Sequence, residues 1–149
     1  MKHEELLRVL APCGLNCGKC LAFRRGDIQR HAAGLRDGLG PNFAQYAERF
    51  AGMRPEFGGY GAFKDLLDAL AEGSCTGCRQ SGCLFAACGV TQCVRERGVD
   101  FCYQCVDFPC DRHGMPEQLA ECWRVNNERM AASGAEAYYE RIKDKPRYP

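Results

Sequence analysis

Residues 75–110 read CTGCRQSGCLFAACGVTQCVRERGVDFCYQCVDFPC, and eight of the chain's twelve cysteines fall inside them. Glycines punctuate the stretch, and its apolar residues are scattered without a helical or alternating period. From Ser74 to Arg112 the chain therefore lacks a continuous apolar face with which to offset its own ordering entropy. Thiolate-bound metal is expected to supply the missing free energy, on the order of 10–16 kcal/mol for a structural zinc site. One regular element is expected here, a helix over residues 90–97 (VTQCVRER) with Gly98 as its C-terminal cap. Short extended pieces are expected near 99–103.

On either side the pattern is helical. Residues 3–11 form a short helix ended by Pro12, and residues 17–37 read as mixed helix interrupted by Gly and Arg. In 42–53, Phe43, Tyr46, Ala47, Phe50 and Met53 recur at three- and four-residue steps. In 60–72, Tyr60, Phe63, Leu66, Leu67 and Leu70 do the same, with Gly73 as the stop. These two aromatic stripes are expected to be core packing rather than a cofactor box. After Pro116, Leu119, Trp123 and Met130 share one side, and Tyr138, Tyr139 and Ile142 follow Gly134. The expected fold is mainly α. It is a single small cysteine-rich domain over 1–149, with core helices at about 40–73, a metal-organised segment at about 74–112 and C-terminal helices at about 116–143.

Charge and length narrow the function classes. Twenty Lys and Arg against nineteen Asp and Glu leave no basic excess to neutralise a row of phosphates, so nucleic acid is not an expected partner. Arg24, Arg25, Arg30 and Arg36 read as a solvated helix face. No apolar run approaches the roughly 18 residues of a membrane span. The start, MKHEELLRVLAPCG, carries acids within its apolar stretch and does not read as a signal peptide. A cytoplasmic location is expected, where structural disulfides are rare. No acid pair, nucleophile–base motif or phosphate loop marks a catalytic site.

The cysteines then read as ligands. Cys13-Gly-Leu-Asn-Cys17-Gly-Lys-Cys20 puts three thiols within eight residues. Its C-x3-C-x2-C spacing matches the cluster loop of radical S-adenosylmethionine enzymes, but the chain is too short for their barrel. Cys75-Thr-Gly-Cys78 and Cys102-Tyr-Gln-Cys105 are paired CxxC motifs in a Gly-rich setting, joined by Cys83, Cys88, Cys93 and Cys110. Catalytic dithiol chemistry calls for a strand leading into a helix, and no such sheet is visible. Four thiolates suit zinc or iron–sulfur. The bacterial ferredoxin run is absent, so structural zinc is the expected cofactor and an iron–sulfur cluster acting in electron transfer or redox sensing is the alternative.

Four segments together resemble a known prokaryotic family. Cys13–Cys20, Cys75–Arg79, Cys88–Cys93 and Arg97-Gly-Val-Asp-Phe-Cys-x-x-Cys-x-Phe-Pro-Cys110 follow the order of the "domain of unknown function 3795". Asn126-Asn-Glu-Arg-Met, Glu136-Ala-Tyr-Tyr and Lys145-Pro-Arg-Tyr resemble its C-terminal part. Family members commonly carry Cys-x-Ile-Arg-x-Cys where this chain has Cys88-Gly-Val-Thr-Gln-Cys93. The resemblance implies a cysteine-rich, metal-binding domain without an established activity.

Ten cysteines match these motif positions: Cys13, Cys17, Cys20, Cys75, Cys78, Cys88, Cys93, Cys102, Cys105 and Cys110. One expected grouping joins Cys75, Cys78, Cys88 and Cys93, and a second joins the N-terminal trio to the Cys102–Cys110 loop. Cys83 and His113 are candidates to complete a further site. Cys122, alone on its helix, is expected to be a buried small hydrophobe. His3 and His31 are expected on the solvated surface. Metal ions are the expected partners, and the sequence names no protein partner.

Overall fold

The structure, a computed structural model, describes residues 1–148. Among the described residues eight α-helices follow one another: α1 (His3–Val9), α2 (Asp27–Leu39), α3 (Phe43–Ala51), α4 (Tyr60–Glu72), α5 (Cys78–Ser81), α6 (Val90–Arg97), α7 (Glu117–Ser133) and α8 (Ala135–Ile142). Three 3-10 turns, Cys17–Lys19, Pro55–Gly59 and Cys102–Gln104, lie between them. Among the described residues no strand forms, and the one bridge pairs Leu10 with Asn16. The protein is mainly helical, as its periodicity predicts. The chain forms two units, one built from Met1–Lys19 together with everything from Cys75 onward, the other from Cys20–Ser74.

In the Cys20–Ser74 unit, α2 packs on α4. Ala32, Leu67 and Ala71 are buried between them, with Ala33, Leu39 and Leu70 alongside. Small residues on facing helices let the two axes approach closely, which suits a short pair with few large apolar side chains. Gly73 ends α4 in the left-handed region (φ 62°), where a residue with a Cβ is strained. Gln29 Nε2 donates to Ala71 O (2.8 Å) and so satisfies a carbonyl the helix end would otherwise leave open.

The aromatic stripe of this unit departs from expectation. Phe43, Phe50, Phe57 and Tyr60 do cluster, with Phe43–Tyr60 centroids 5.0 Å apart and Phe50–Phe57 5.4 Å. Within the α3 stripe, however, only Ala47 is buried. Tyr46 is 52% exposed and Met53 71%, while on α4 Leu66 is 60% exposed. Periodicity identifies which residues share a face, but a face is buried only where another layer covers it.

The other unit has two adjoining apolar clusters. Leu6 and Leu10 from the N-terminal segment meet Phe101, Met130, Ala135 and Tyr138, all nearly inaccessible. Val90 and Val94 of α6 meet Cys102 and Trp123, with Cys13, Cys88, Phe108 and Cys110 packed against them. Gly98 caps α6 at φ 67°, with its N–H directed to Val94 and Arg95 carbonyls, as the sequence predicts. Gly134 (φ 81°) separates α7 from α8.

Buried polar groups bind these pieces together. Gly14 lies under α7, where a Cβ would come within 2.5 Å of the Asn126 Cβ; its carbonyl accepts the Tyr138 hydroxyl (3.0 Å). Asn127 is fully buried. Its Nδ2 donates to Trp123 O (3.0 Å) and Pro12 O (3.4 Å), and its Oδ1 accepts the Tyr103 N–H (3.0 Å). One amide thereby ties α7 to the residue before Cys13 and to the residue after Cys102. Cys122 is exposed on α7, contrary to the expectation that it is a buried hydrophobe, because the buried stripe of this helix is Trp123, Asn127 and Met130.

Candidate metal centre

The thiols of Cys13, Cys17, Cys78, Cys83 and Cys88 meet in one region. Cys78 sits at the start of α5 and lies near enough to Cys17, from the first 3-10 turn, for each to shift the other. Cys83 is likewise near both Cys78 and Cys88. Cys13 lies close enough to feel the charge of both Cys78 and Cys88. The chain positions are far apart, and the residue-1–19 segment reaches them through the Leu10–Asn16 bridge and the Gly14 turn.

Backbone amides face these sulfurs. The Gly77 N–H donates to the Cys75 sulfur at 3.3 Å. The amides of Leu15, Phe85 and Val90 lie near the sulfurs of Cys13, Cys83 and Cys88 and act to lower their pKa. An amide aimed at sulfur favours the thiolate, which is the ligating form. The sequence signal for it was Gly or a small turn after several of the cysteines, not recognisable as such without the fold.

The electrostatics of the group follow from crowding. Burial pushes the Cys13 thiol up to about 12, helped by the neighbouring Cys78 and Cys88 and opposed by the Leu15 amide and Arg147. Burial likewise raises Cys88 to about 11. The interaction with Cys78 holds Cys17 below the ordinary thiol value and, with burial and the Cys17 charge, holds Cys78 well above it. Cations stand nearby. Arg147 donates to Asn16 O (2.9 Å). Arg79 donates to Asp100 O (2.6 Å) and Leu7 O (3.3 Å), and its guanidinium lies 5.1 Å from the Phe101 ring centroid. Both arginines act on the thiols of Cys13 and Cys17. Sequence reasoning did not single out either for this role.

Cys93, Cys102, Cys105 and Cys110 form a second neighbourhood. Cys102 and Cys105 are linked by a turn in which the Cys105 N–H donates to Cys102 O (3.0 Å). Burial raises Cys102 to about 11, the Trp123 N–H lowers it, and the charges of Cys93, Cys110 and Cys105 raise it. The His113 ring packs at a tilt of 44° against Trp123, centroids 4.9 Å apart, and its Nδ1 accepts the Met115 N–H (3.0 Å).

Cys13 and Cys17 lie near Cys78, and Cys13 and Cys88 also pack against the apolar cluster that holds Cys102 and Cys110, so the thiols form adjoining neighbourhoods. Cys75 stands apart, in contact with Ser81 Oγ (3.6 Å). Cys20 is buried within the Cys20–Ser74 unit. His3 is exposed, as expected, and pairs with Asp100 at 2.9 Å; His31 is also exposed. Among the described residues, no three Cys, His, Asp or Glu side chains stand close enough together to hold one ion as they are.

Fold and site together define a small, mainly helical, cysteine-rich protein whose thiols gather away from one another in sequence. The family described as Protein of unknown function (DUF3795) matches residues 9–115, and the chain belongs to it. No curated protein and no solved structure matches the chain. Among the described residues no helix is long and apolar enough to cross a membrane.

Proposed function

We propose that this is a zinc-binding protein in which cysteine thiolates hold the metal as a structural staple. The observation that carries the reading is the gathering of Cys13, Cys17, Cys78, Cys83 and Cys88, each near enough to another of the group to shift its titration. A tetrahedral four-thiolate site has metal–sulfur bonds of about 2.3 Å, so binding would draw these side chains together from positions in which, among the described residues, no three yet stand close enough to hold an ion. Four thiolates on a divalent ion leave two negative charges, and Arg79 and Arg147 supply two positive ones nearby. Binding releases the thiol protons that crowding otherwise keeps in place. The location is the cytoplasm, where such thiols stay reduced.

The test is metal content and absorption of the full chain purified without oxygen. Zinc with no visible absorption supports the reading. Serine at Cys13, Cys17, Cys78, Cys83 and Cys88 in turn then identifies the ligands by loss of one equivalent, while Cys122→Ser leaves the content unchanged. Iron with acid-labile sulfide in a brown sample overturns zinc in favour of an iron–sulfur protein. Protein that takes up neither metal overturns both.

A further inference from the structure

The aromatic residues of α3, α4 and the turn between them have no part in the zinc reading, and they do not close into a core. Phe43, Phe57, Tyr60 and Phe63, with Leu35 and Leu39 of α2, line a groove of about 350 Å³ that opens to solvent. Its lining lies wholly within residues 20–74 and includes no cysteine. Neighbouring rings are tilted. Phe43 and Tyr60 meet at 64° (centroids 5.0 Å), Phe43 and Phe57 at 50° (6.5 Å), and Tyr60 and Phe63 at 43° (6.2 Å). Tilted rings cannot close flat on one another, so the wedges between them stay open. Phe50, which does not line the groove, packs on both Phe43 (6.4 Å) and Phe57 (5.4 Å) and fixes their positions.

The chemistry of the lining selects among occupants. Four of its six large apolar side chains are aromatic, and their faces carry the negative part of the ring quadrupole. Among the described residues that line it, the one charged side chain is Glu56, an exposed carboxylate. Arg54 Nε lies 3.8 Å from that carboxylate, but both side chains are exposed, and such a surface pair contributes little and yields readily to another cation. An anionic headgroup meets repulsion from rings and carboxylate alike. A neutral hydrocarbon gains nothing from Glu56. A cation sheathed in methyl groups gains from both, because its methyls pack on the rings while its charge meets π-faces and carboxylate. It also escapes the desolvation cost of a bare ammonium, having no N–H to leave unpaired.

We propose that this groove binds a small quaternary ammonium ion, with Phe43, Phe57, Tyr60 and Phe63 as aromatic walls and Glu56 as the countercharge. Its volume of about 350 Å³ is at the small end of ligand sites, which suits a trimethylammonium head on a short chain. The site stands independently of the zinc reading.

An NMR titration of the full chain with choline, followed by the aromatic side-chain shifts, tests this. Two probes of nearly the same shape serve as comparisons, neutral 3,3-dimethylbutan-1-ol and anionic 3,3-dimethylbutanoate. Choline is expected to bind with a Kd on the order of 0.1–1 mM, about tenfold more tightly than the alcohol, and the butanoate is expected not to bind. Phe63→Leu keeps an apolar wall but removes a π-face, and should weaken choline by about 3–5-fold while narrowing the choline-to-alcohol ratio. Glu56→Gln should weaken choline by about 2–4-fold at low salt, leave the alcohol unchanged, and matter less as salt rises. Both positions are exposed, so the fold is kept. Alcohol binding as tight as choline binding overturns the proposal. So do shifts that bypass Phe43, Phe57, Tyr60 and Phe63, a choline-to-alcohol ratio unmoved in both variants, or no saturable change up to about 10 mM choline. The wild-type comparison of the three probes decides the matter whether or not a variant folds.

Discussion

Residues 20–74 hold one cysteine, and the rest of the chain holds eleven. In the first region the buried contacts are Ala32, Leu67 and Ala71 between two helices of thirteen residues each. In the second, buried side chains meet across long sequence gaps and much of the cohesion is polar: the Asn127 amide, the Tyr138 hydroxyl, the Arg79 guanidinium and the thiols. Apolar helix pairing is local and cheap to form, because the partners are close in sequence. The thiol-rich region must instead close long loops before its contacts form, so it depends more on strong, specific bonds. The comparison teaches where a metal would matter.

Removing metal is therefore the largest perturbation expected. A chelator under reducing conditions should strip hydrogen-exchange protection from α6, α7 and the Cys102–Gln104 turn while α2 and α4 keep theirs. The loss is on the order of 10 kcal/mol per structural site. Equal loss in both regions would break the contrast drawn here.

Leu67→Ala should act in the opposite place. It removes a side chain that is 4% exposed between α2 and α4, at a cost of about 2–4 kcal/mol. Exchange should quicken there, with metal content unchanged. Asn127→Ala should cost about 2 kcal/mol by leaving the Tyr103 N–H and the Pro12 carbonyl without their partner. Urea unfolding measures it, and an effect confined to α7 that leaves the Cys13 and Cys102 segments as well ordered as before would show that Asn127 does not join them. Cys122→Ser, at an exposed position, should change stability by less than about 0.5 kcal/mol.

The sequence made some of this legible and hid the rest for definable reasons. Local signals carried the helices. Gly73 and Gly98 mark helix ends by their backbone freedom, and both adopt positive φ where the reading put a stop. The thiol-rich character of residues 75–110 was equally plain. What was hidden is long-range. Nothing in the spacing of Cys13 and Cys17 tells that they meet Cys78 and Cys88, since that depends on how the Gly14 turn lies under α7. Asn127 looked like any polar residue of an exposed helix until its three partners appeared. The exposure of Tyr46 and Met53 was hidden because a periodic face records amphipathicity, not what covers it.

The thiol-rich unit is interrupted by residues 20–74, and this has a consequence for the chain as it is made. Translation delivers Cys13 and Cys17 first, then the whole inserted helical unit, and only afterwards Cys78, Cys83 and Cys88. At roughly 5–20 residues per second, the residues between Cys17 and Cys78 take on the order of 3–12 s to emerge. During that interval the inserted unit can fold from its own local contacts, while the two early thiols wait without their neighbours. The order of birth thus runs opposite to a simple N-terminal-first scheme: the middle of the chain is complete before the beginning has anything to close upon.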